Sequence, residues 1–222
     1  MSVKKISKEA IIMKGNFITF EGLDGTGKTT AMNIVVKRLE NRLAQYKIVA
    51  TREPGGDQIA EKIRNLILDN SANTMDGKTE ALLYAAARRE HFVNVIKPAL
   101  ETGNIVLCDR YVDSSLAYQG QGRHLGMDKV ADINKFATDG LKPDVTFYFD
   151  LAPEEGLNRI KKHRSNEINR LDEEDLTFYN EVQKGYEKLI SDDPQRFVRI
   201  DATQSANNIA DEIISKLIFM LF

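Results

Sequence analysis

A glycine-rich segment near the start of the sequence combines the residue types and the spacing that phosphate groups require. It matches the pattern G-x-x-x-x-G-K-[ST] and consists of Gly22, Leu23, Asp24, Gly25, Thr26, Gly27, Lys28 and Thr29. Glycines let backbone N–H groups approach phosphate oxygens closely, and the N-terminus of a following helix attracts negative charge. Lys28 is expected to reach the β- and γ-phosphates of a nucleotide, and the Thr29 hydroxyl to bind Mg²⁺. The alternative is a glycine-rich turn without a ligand.

A phosphate-binding loop (P-loop) does not by itself distinguish ATPases, GTPases and kinases. GTPases normally carry an N-K-x-D sequence that reads guanine, whereas Asn134 and Lys135 are followed here by Phe136 and Ala137. The sequence therefore argues against a GTPase. The choice among the other classes depends on the residues that would bind a second substrate.

The strand-like run at residues 104–109 ends in charged residues that suit a ligand site. The carboxyl ends of parallel strands form the edge at which open α/β sheets bind ligands. Asp109 is predicted to lie near the metal with Thr29, and Arg110 can hold a phosphate through two hydrogen bonds. A surface ion pair between these two neighbours is the alternative. The TREPGG sequence at residues 51–56 ends another strand-like run, where it could also be a simple chain reversal.

Two further groups of side chains suit the binding of a flat, polar molecule. Tyr84 and Arg88 are four residues apart on a predicted helix, so one face presents an aromatic ring and a guanidinium. These groups could stack on a base and bond its edge, although a core tyrosine and a solvated arginine are also common. Residues 113–120, DSSLAYQG, supply hydroxyls, a phenol and an amide, or else a helix cap and a turn.

The order of strand-like and helical segments along the chain predicts an α/β protein. Apolar β-type runs at residues 16–21, 47–52, 104–109, 145–151 and 196–201 alternate with stretches of helical periodicity. This alternation predicts a parallel sheet with right-handed crossovers, and the apolar runs suit strands that are covered on both faces. We expect residues 16–222 to form a single domain and residues 1–15 to be a disordered extension.

Composition limits the environment and the partners. The 222 residues include 31 basic and 33 acidic side chains, and a dedicated nucleic-acid binder normally has a basic excess. No apolar run approaches the roughly 20 residues that a membrane span needs. The single cysteine, Cys108, can form no internal disulfide, and the first residues show no secretory signal. We therefore expect a cytoplasmic location, with no nucleic-acid or membrane partner.

Taken together, these segments resemble thymidylate kinases, most closely the Gram-positive bacterial type. The resemblance is carried by FEGLDGTGKTT, TREPGG, LLYAAARREH, LCDRYVDSSLAYQG, GLKPDVTFYFDL and NRLDEED, which span nearly the whole chain beyond its first residues. It implies a P-loop NTPase fold, in which helices flank both faces of a parallel sheet of five strands. It also implies a homodimer that phosphorylates dTMP to dTDP with ATP and Mg²⁺ in dTTP biosynthesis.

The resemblance also implies residue roles. Lys28, Asp24 and Arg110 would form the catalytic centre, with Arg110 holding the acceptor phosphate. The dTMP site would comprise Glu53, Arg64, Tyr84, Arg88, Arg110, Ser115, Tyr118 and Gln119. Within it, Arg88, Ser115 and Gln119 would contact the thymine, and Tyr118 would pack against C2′ of the sugar. One departure is Tyr84, where the family often has phenylalanine, because its hydroxyl needs a partner.

A polar, basic stretch, KKHRSNEINR, interrupts the helical periodicity and predicts a lid at about residues 161–175. Some thymidylate kinases carry a basic residue directly after the aspartate of the phosphate-binding loop, whereas this chain has Gly25 there. We therefore expect at least one of Arg164 and Arg170 to supply catalytic charge from the closed lid. Arg164 would be the direct contact, and Arg170 would brace the lid through Asp172 or Glu173. A solvated basic loop is the alternative.

Other functions remain open at this point. A kinase for another nucleoside monophosphate or for a deoxynucleoside would share most of these features. A P-loop ATPase or switch that acts on a macromolecule would turn over ATP without a nucleotide acceptor. A non-catalytic nucleotide sensor would not need the charged residues of the site. An assay of ADP release with different nucleotide acceptors would separate these functions.

Overall fold

The computed structural model describes residues 15–72, 74–163 and 174–221. The predicted N-terminal extension, apart from Gly15, lies outside these ranges. So does most of the predicted lid, including Arg164 and Arg170.

A sheet of five parallel strands forms the centre of the described chain. The strands are β1 (Asn16–Gly22), β2 (Ile48–Arg52), β3 (Ile105–Asp109), β4 (Val145–Asp150) and β5 (Phe197–Asp201), and their spatial order is β2-β3-β1-β4-β5. Every neighbouring pair is parallel. The predicted sheet is confirmed, and each strand begins and ends within about one residue of its apolar run.

Helices connect the strands. They are α1 (Lys28–Arg42), α2 (Gln58–Leu68), α3 (Gly77–His91), α4 (Lys97–Glu101), α5 (Val112–Ser115), α6 (Met127–Thr138), α7 (Pro153–His163), α8 (Leu176–Asp192) and α9 (Ala206–Leu221). Wide π-helical turns join α3 to α4 at Phe92–Ile96 and extend α5 at Leu116–Gly122. Among the helices of the described ranges, none is both long and apolar enough to cross a membrane.

Helices pack on both faces of the sheet, and β1 shows why its residues are apolar almost throughout. Ile18 and Phe20 pack in one core with residues of α1 and α9. Phe17 packs in another core, with Phe92 and Leu100. Because alternate side chains of a strand point to opposite faces, a strand covered on both sides must be apolar at successive positions.

Helix starts follow local side-chain signals. Asp57 caps α2 by accepting a hydrogen bond from the Ile59 N–H at 2.9 Å. Asp76 caps α3 in the same way through the Lys78 N–H at 3.0 Å. These caps satisfy N–H groups that have no partner inside the helix, so they determine where the site-bearing helices begin.

The strand register brings the polar loop ends together. In the parallel ladders, Asp109 of β3 is paired with Phe20 of β1 and with Arg52 of β2. The loops that follow these three strands therefore leave the sheet at one edge. The glycine-rich segment, the Asp109–Arg110 pair and the TREPGG segment consequently meet in space.

The core under α9 supports a stability prediction. Ile213 is fully buried between α9 and the sheet. The Ile213→Ala variant should lower the free energy of unfolding by about 2–5 kcal/mol, because it leaves a cavity that the neighbours cannot fill. Urea unfolding measures the change. In the same helix, the side chain of Phe219 is 88% exposed, so Phe219→Ala should change stability by less than about 0.5 kcal/mol. Equal losses in both variants would contradict the described packing.

Candidate active site

A cavity of about 450 Å³ opens at the carboxyl edge of β1, β2 and β3. Of the residues predicted for the site, those that line it are Asp24, Gly25, Gly27, Lys28, Thr29, Glu53, Arg64, Tyr84, Arg88, Asp109, Arg110, Ser115, Tyr118 and Gln119. Gly22, Leu23 and Thr26 belong to the same loop but do not line the cavity. The structure therefore brings together segments that are far apart in sequence.

Glycines shape the phosphate-binding loop. Gly27 has a φ of +85° and directly precedes α1. Gly25 has a φ of +77°, and a Cβ atom there would lie 2.3 Å from the carbonyl oxygen of Gly156 in α7. A side chain at position 25 would therefore be strained and would also push the loop away from α7.

Lys28 is folded into the concave side of this loop. Its Nζ donates to the Leu23 carbonyl at 2.6 Å and to Thr26 Oγ1 at 3.2 Å. Burial, together with the nearby positive charge of Arg110, lowers the pKa of Lys28 to about 8. The ammonium thus occupies a position where an anionic ligand would stabilise its charged form.

Thr29 and Asp109, which the sequence predicts as magnesium ligands, lie next to each other in the structure. The Thr29 hydroxyl donates to Asp109 Oδ2, so both side chains reach the same point at the mouth of the loop. The described ranges hold no group of three or more His, Cys, Asp or Glu residues placed to bind a metal ion. This pair nevertheless fits Mg²⁺, which is commonly held by one or two protein oxygens together with substrate phosphates and water.

Arg110 connects the loop to the opposite wall of the cavity. Its guanidinium donates to the Gly22 carbonyl at 2.9 Å, to Ser114 Oγ at 3.0 Å and to Asp24 Oδ1 at 2.7 Å. Asp24 also accepts a hydrogen bond from the Tyr118 hydroxyl at 2.8 Å. Burial opposes the ionisation of Asp24, but the charges of Arg110 and Lys28 outweigh it and lower the pKa of Asp24 to about 2. The surface ion pair between Asp109 and Arg110 does not form, because Arg110 pairs with Asp24.

Behind Arg110 lies a buried carboxylate that the sequence reasoning missed. Glu21 accepts hydrogen bonds from the Tyr111 N–H at 2.7 Å, from Ser114 Oγ at 2.6 Å and from the Tyr186 hydroxyl at 2.8 Å. Burial, reinforced by the charge of Asp113, raises the pKa of Glu21 to about 7. The sequence did contain a signal for this site, because Glu21 is an acidic residue inside the largely apolar strand β1. A buried carboxylate needs hydrogen-bond donors around it.

Arg88 is held inside the protein rather than solvated. Its Nε donates to Glu53 Oε2 at 2.6 Å, its Nη1 to Ser115 Oγ at 3.0 Å and to Asn134 Oδ1, and its Nη2 to the Tyr111 carbonyl at 3.0 Å. The residue is only 2% exposed yet lines the cavity. The alternative of a solvated arginine is therefore wrong, and the guanidinium has a fixed orientation.

The TREPGG segment is packed against the same arginine, so it is more than a chain reversal. Glu53 also binds His91, with Oε1 and Nδ1 separated by 2.9 Å, and His91 Nε2 lies 2.6 Å from Thr51 Oγ1. Burial opposes the ionisation of Glu53, but Arg88 and His91 outweigh it and lower its pKa. His91 was not predicted as part of the site. Arg64 donates to the Pro54 carbonyl at 2.9 Å, which places its guanidinium at the cavity wall.

The DSSLAYQG segment forms α5 and the π-helical turn Leu116–Gly122, where a cap and a turn were the alternative. This wide turn carries Tyr118 and Gln119 on the cavity wall. Gln119 Nε2 donates to Glu80 Oε1 of α3 at 2.8 Å. Tyr84, also in α3, is largely buried at the same wall. Arg159 of α7 lines the cavity as well, which the sequence reasoning missed.

Comparisons with known proteins identify the family of the chain. The family model for thymidylate kinase matches residues 20–213. The chain is 52% identical to a thymidylate kinase from Lactiplantibacillus plantarum, with 91% of each chain covered. It is 52% identical to a thymidylate kinase from Enterococcus faecalis, with 93% of this chain and 97% of the relative covered. A crystal structure of thymidylate kinase from Ehrlichia chaffeensis superimposes with a TM-score of 0.75 at 34% identity, covering 91% of this chain and 98% of that chain.

The buried carboxylate at position 21 predicts a specific pH dependence of stability. The pKa of Glu21 rises from 4.5 to about 7 on folding, so the folded state holds this proton more tightly than the unfolded state. Stability from this group is complete below about pH 4.5 and is lost as the pH rises through about 7. The Glu21→Gln variant stays neutral, so the wild type should lose stability relative to it across this interval.

Urea unfolding of both proteins at several pH values measures this difference. Glu154→Gln, which removes one carboxylate from the exposed start of α7, is the matched control. If the free energy of unfolding changed with pH in the same way in the wild type and in Glu21→Gln, the described environment of Glu21 would be contradicted.

Proposed function

Because the chain belongs to the thymidylate kinase family, we propose that its cavity binds ATP and dTMP together and transfers the γ-phosphoryl group of ATP to dTMP. The observation that carries this proposal is the position of Arg110. It lines the same cavity as the phosphate-binding loop and is bonded to that loop through Gly22 and Asp24. A phosphate held by Arg110 would therefore lie next to the phosphates held by the loop.

Charge balance explains the choice of residues in the cavity. Two anionic substrates repel each other, and phosphoryl transfer depends chiefly on positioning and on neutralising charge. Lys28 would meet the phosphates of ATP, while Arg110 and Arg64 would meet the phosphate of dTMP. Asp24 holds the Arg110 guanidinium, so this cation would be oriented before the substrates arrive.

Thr29 and Asp109 would hold the magnesium ion that accompanies ATP. When bound, Mg²⁺ neutralises phosphate charge and orients the phosphates for transfer. The hydroxyl and the carboxylate already lie in contact at the mouth of the loop, so both can reach one ion.

The remaining wall of the cavity would bind the nucleoside of dTMP. Arg88, Ser115 and Gln119 would bond the edge of thymine, and Tyr84 would stack on its face. Tyr118 would pack against C2′ of the sugar while its hydroxyl bonds Asp24. Glu53 would act through Arg88, which it orients.

The lid arginines complete the proposal. Gly25 packs against Gly156 so closely that a cationic side chain could not occupy this position of the loop. Further positive charge must therefore come from another segment, and we assign it to Arg164 and Arg170. We also place the reaction in the cytoplasm, as the step that commits dTMP to dTTP synthesis.

Lys28 and the choice of acceptor provide the principal test. ADP release from MgATP should depend on dTMP and be much slower with dGMP or AMP. The Lys28→Ala variant should lose roughly a thousandfold in kcat, which is about 4 kcal/mol at 1.36 kcal/mol per tenfold. Lys37→Ala, at an exposed position of α1, is the matched control and should keep wild-type kcat. ADP release that is indifferent to dTMP, or full activity in folded Lys28→Ala, would refute the proposal.

We further propose that the protein is a homodimer formed through α2, α3 and α6. These helices pack side by side, α2 against α3 and α3 against α6. Together they expose Ile59, Leu66, Leu82 and Phe136, among which Leu82 is 56% and Phe136 is 87% exposed. Large apolar side chains on adjoining helices are typical of an interface, and a second copy would bury the same face on both subunits.

Substitution on this face tests the oligomeric state. Phe136→Glu combined with Leu82→Glu should give a monomer in analytical ultracentrifugation, because each copy would bury a charge at the contact. Phe219→Glu is the control, since this side chain is equally exposed but lies on α9. A wild type that sediments as a monomer, or a double variant that remains dimeric, would show that this face is not the interface.

A further inference from the structure

Glu80 is a buried carboxylate that the mechanism above does not use. It lies on α3, one helical turn before Tyr84, and its side chain is completely buried. Its Oε1 accepts a hydrogen bond from Gln119 Nε2 at 2.8 Å. Arg123 approaches both carboxylate oxygens of Glu80 at 3.4 Å and so helps to hold this carboxylate in place. Arg123 also pairs with Glu174.

This contact determines which way the Gln119 amide faces. The carboxylate oxygens of Glu80 accept hydrogen bonds, so the amide nitrogen of Gln119 must point toward them. Gln119 lines the cavity, and its contact with Glu80 engages the amide nitrogen rather than the amide oxygen. The amide therefore offers the cavity a carbonyl oxygen and the second hydrogen of its nitrogen, in a fixed order.

We propose that Glu80 is a positioning residue that makes the site select thymine and uracil over cytosine. The inference rests on the proposed function, in which Gln119 contacts the edge of the base. Thymine and uracil present an N3–H donor beside a carbonyl acceptor, which matches the acceptor and donor of the oriented amide. Cytosine presents an N3 acceptor beside an amino donor, which is the reverse order.

Binding of cytosine would require the Gln119 amide to turn over. Its carbonyl oxygen would then face Glu80 Oε1, and the two acceptors would repel each other in a buried environment. Selection therefore includes a repulsive element against the wrong base, in addition to the bonds made to the correct one. The 5-methyl group of thymine has no part in this discrimination, so dUMP and dCMP form the cleanest pair of test acceptors.

The experiment compares kcat/KM for dTMP, dUMP and dCMP with saturating MgATP. In Glu80→Gln, the new amide can donate as well as accept, so Gln119 can turn over. The dUMP-to-dCMP ratio of kcat/KM should fall by roughly tenfold or more, through a gain with dCMP, while the KM for ATP stays unchanged. Glu90→Gln makes the same chemical change elsewhere on α3, at a residue that does not line the cavity, and it should keep the wild-type ratio.

A second variant keeps the test decisive if Glu80→Gln does not fold. Gln119→Leu removes the amide, so it should also lower the dUMP-to-dCMP ratio, but through a loss with dUMP. Where both fold, the double variant should show the ratio of Gln119→Leu, because Glu80 acts through Gln119. The inference is wrong if Glu80→Gln keeps the wild-type dUMP-to-dCMP ratio of kcat/KM. If Glu80→Gln cannot be purified, the inference is wrong if Gln119→Leu keeps that ratio. An equal loss with every acceptor would show that Glu80 is merely structural.

The outcome also separates this inference from the proposed function. If the wild-type protein phosphorylates none of these acceptors, the proposed function fails. If it prefers dTMP and dUMP but Glu80→Gln keeps that preference, the proposed function stands and only the role of Glu80 fails.

Discussion

The arrangement of the site depends on the hydrogen bonds of Arg110. This residue follows β3 and has a φ of +69°, a left-handed conformation that is unfavourable for a side chain with a Cβ atom. Neighbouring bonds compensate for the cost, because Glu21 accepts hydrogen bonds from the Tyr111 and Ser114 N–H groups. With the backbone so fixed, the guanidinium reaches Gly22 and Asp24 of the phosphate-binding loop. The loop and the acceptor wall therefore form one connected unit.

A common construction recurs around the cavity: three of the long polar side chains that line it are each hydrogen-bonded to a carboxylate. Asp24 pairs with Arg110, Glu53 pairs with Arg88, and Glu80 bonds Gln119. A long guanidinium or amide side chain loses considerable rotational freedom when it is ordered. Because these carboxylates order their partners in the folded protein, substrate binding would not need to offset that loss.

The sequence predicted the framework of this site better than its supporting contacts. Strands such as Asn16–Gly22 have a continuous apolar pattern, and the phosphate-binding loop has a local motif. Parallel pairing then places Asp109 at the loop without further information. The roles of Glu21, Glu80 and His91 were missed, since each depends on a partner far away in the sequence. The π-helical turn Leu116–Gly122 was also missed, because no apolar periodicity distinguishes it from an ordinary helix.

Charged side chains held close together in the cavity shift one another's pKa values. Lys28 and Arg110 lie close enough that their repulsion, added to burial, lowers the pKa of Lys28 to about 8. Asp24 offsets part of this repulsion, and its own pKa falls to about 2. More basic than acidic side chains line the cavity, so without ligand it carries an excess of positive charge. The basic residues are Lys28, Arg52, Arg64, Arg88, Arg110 and Arg159, and the acidic ones are Asp24, Glu53 and Asp109. A bound polyphosphate would remove that excess and would raise the pKa of Lys28. The repulsion between these cations therefore disfavours the empty site and correspondingly strengthens the binding of anionic substrates.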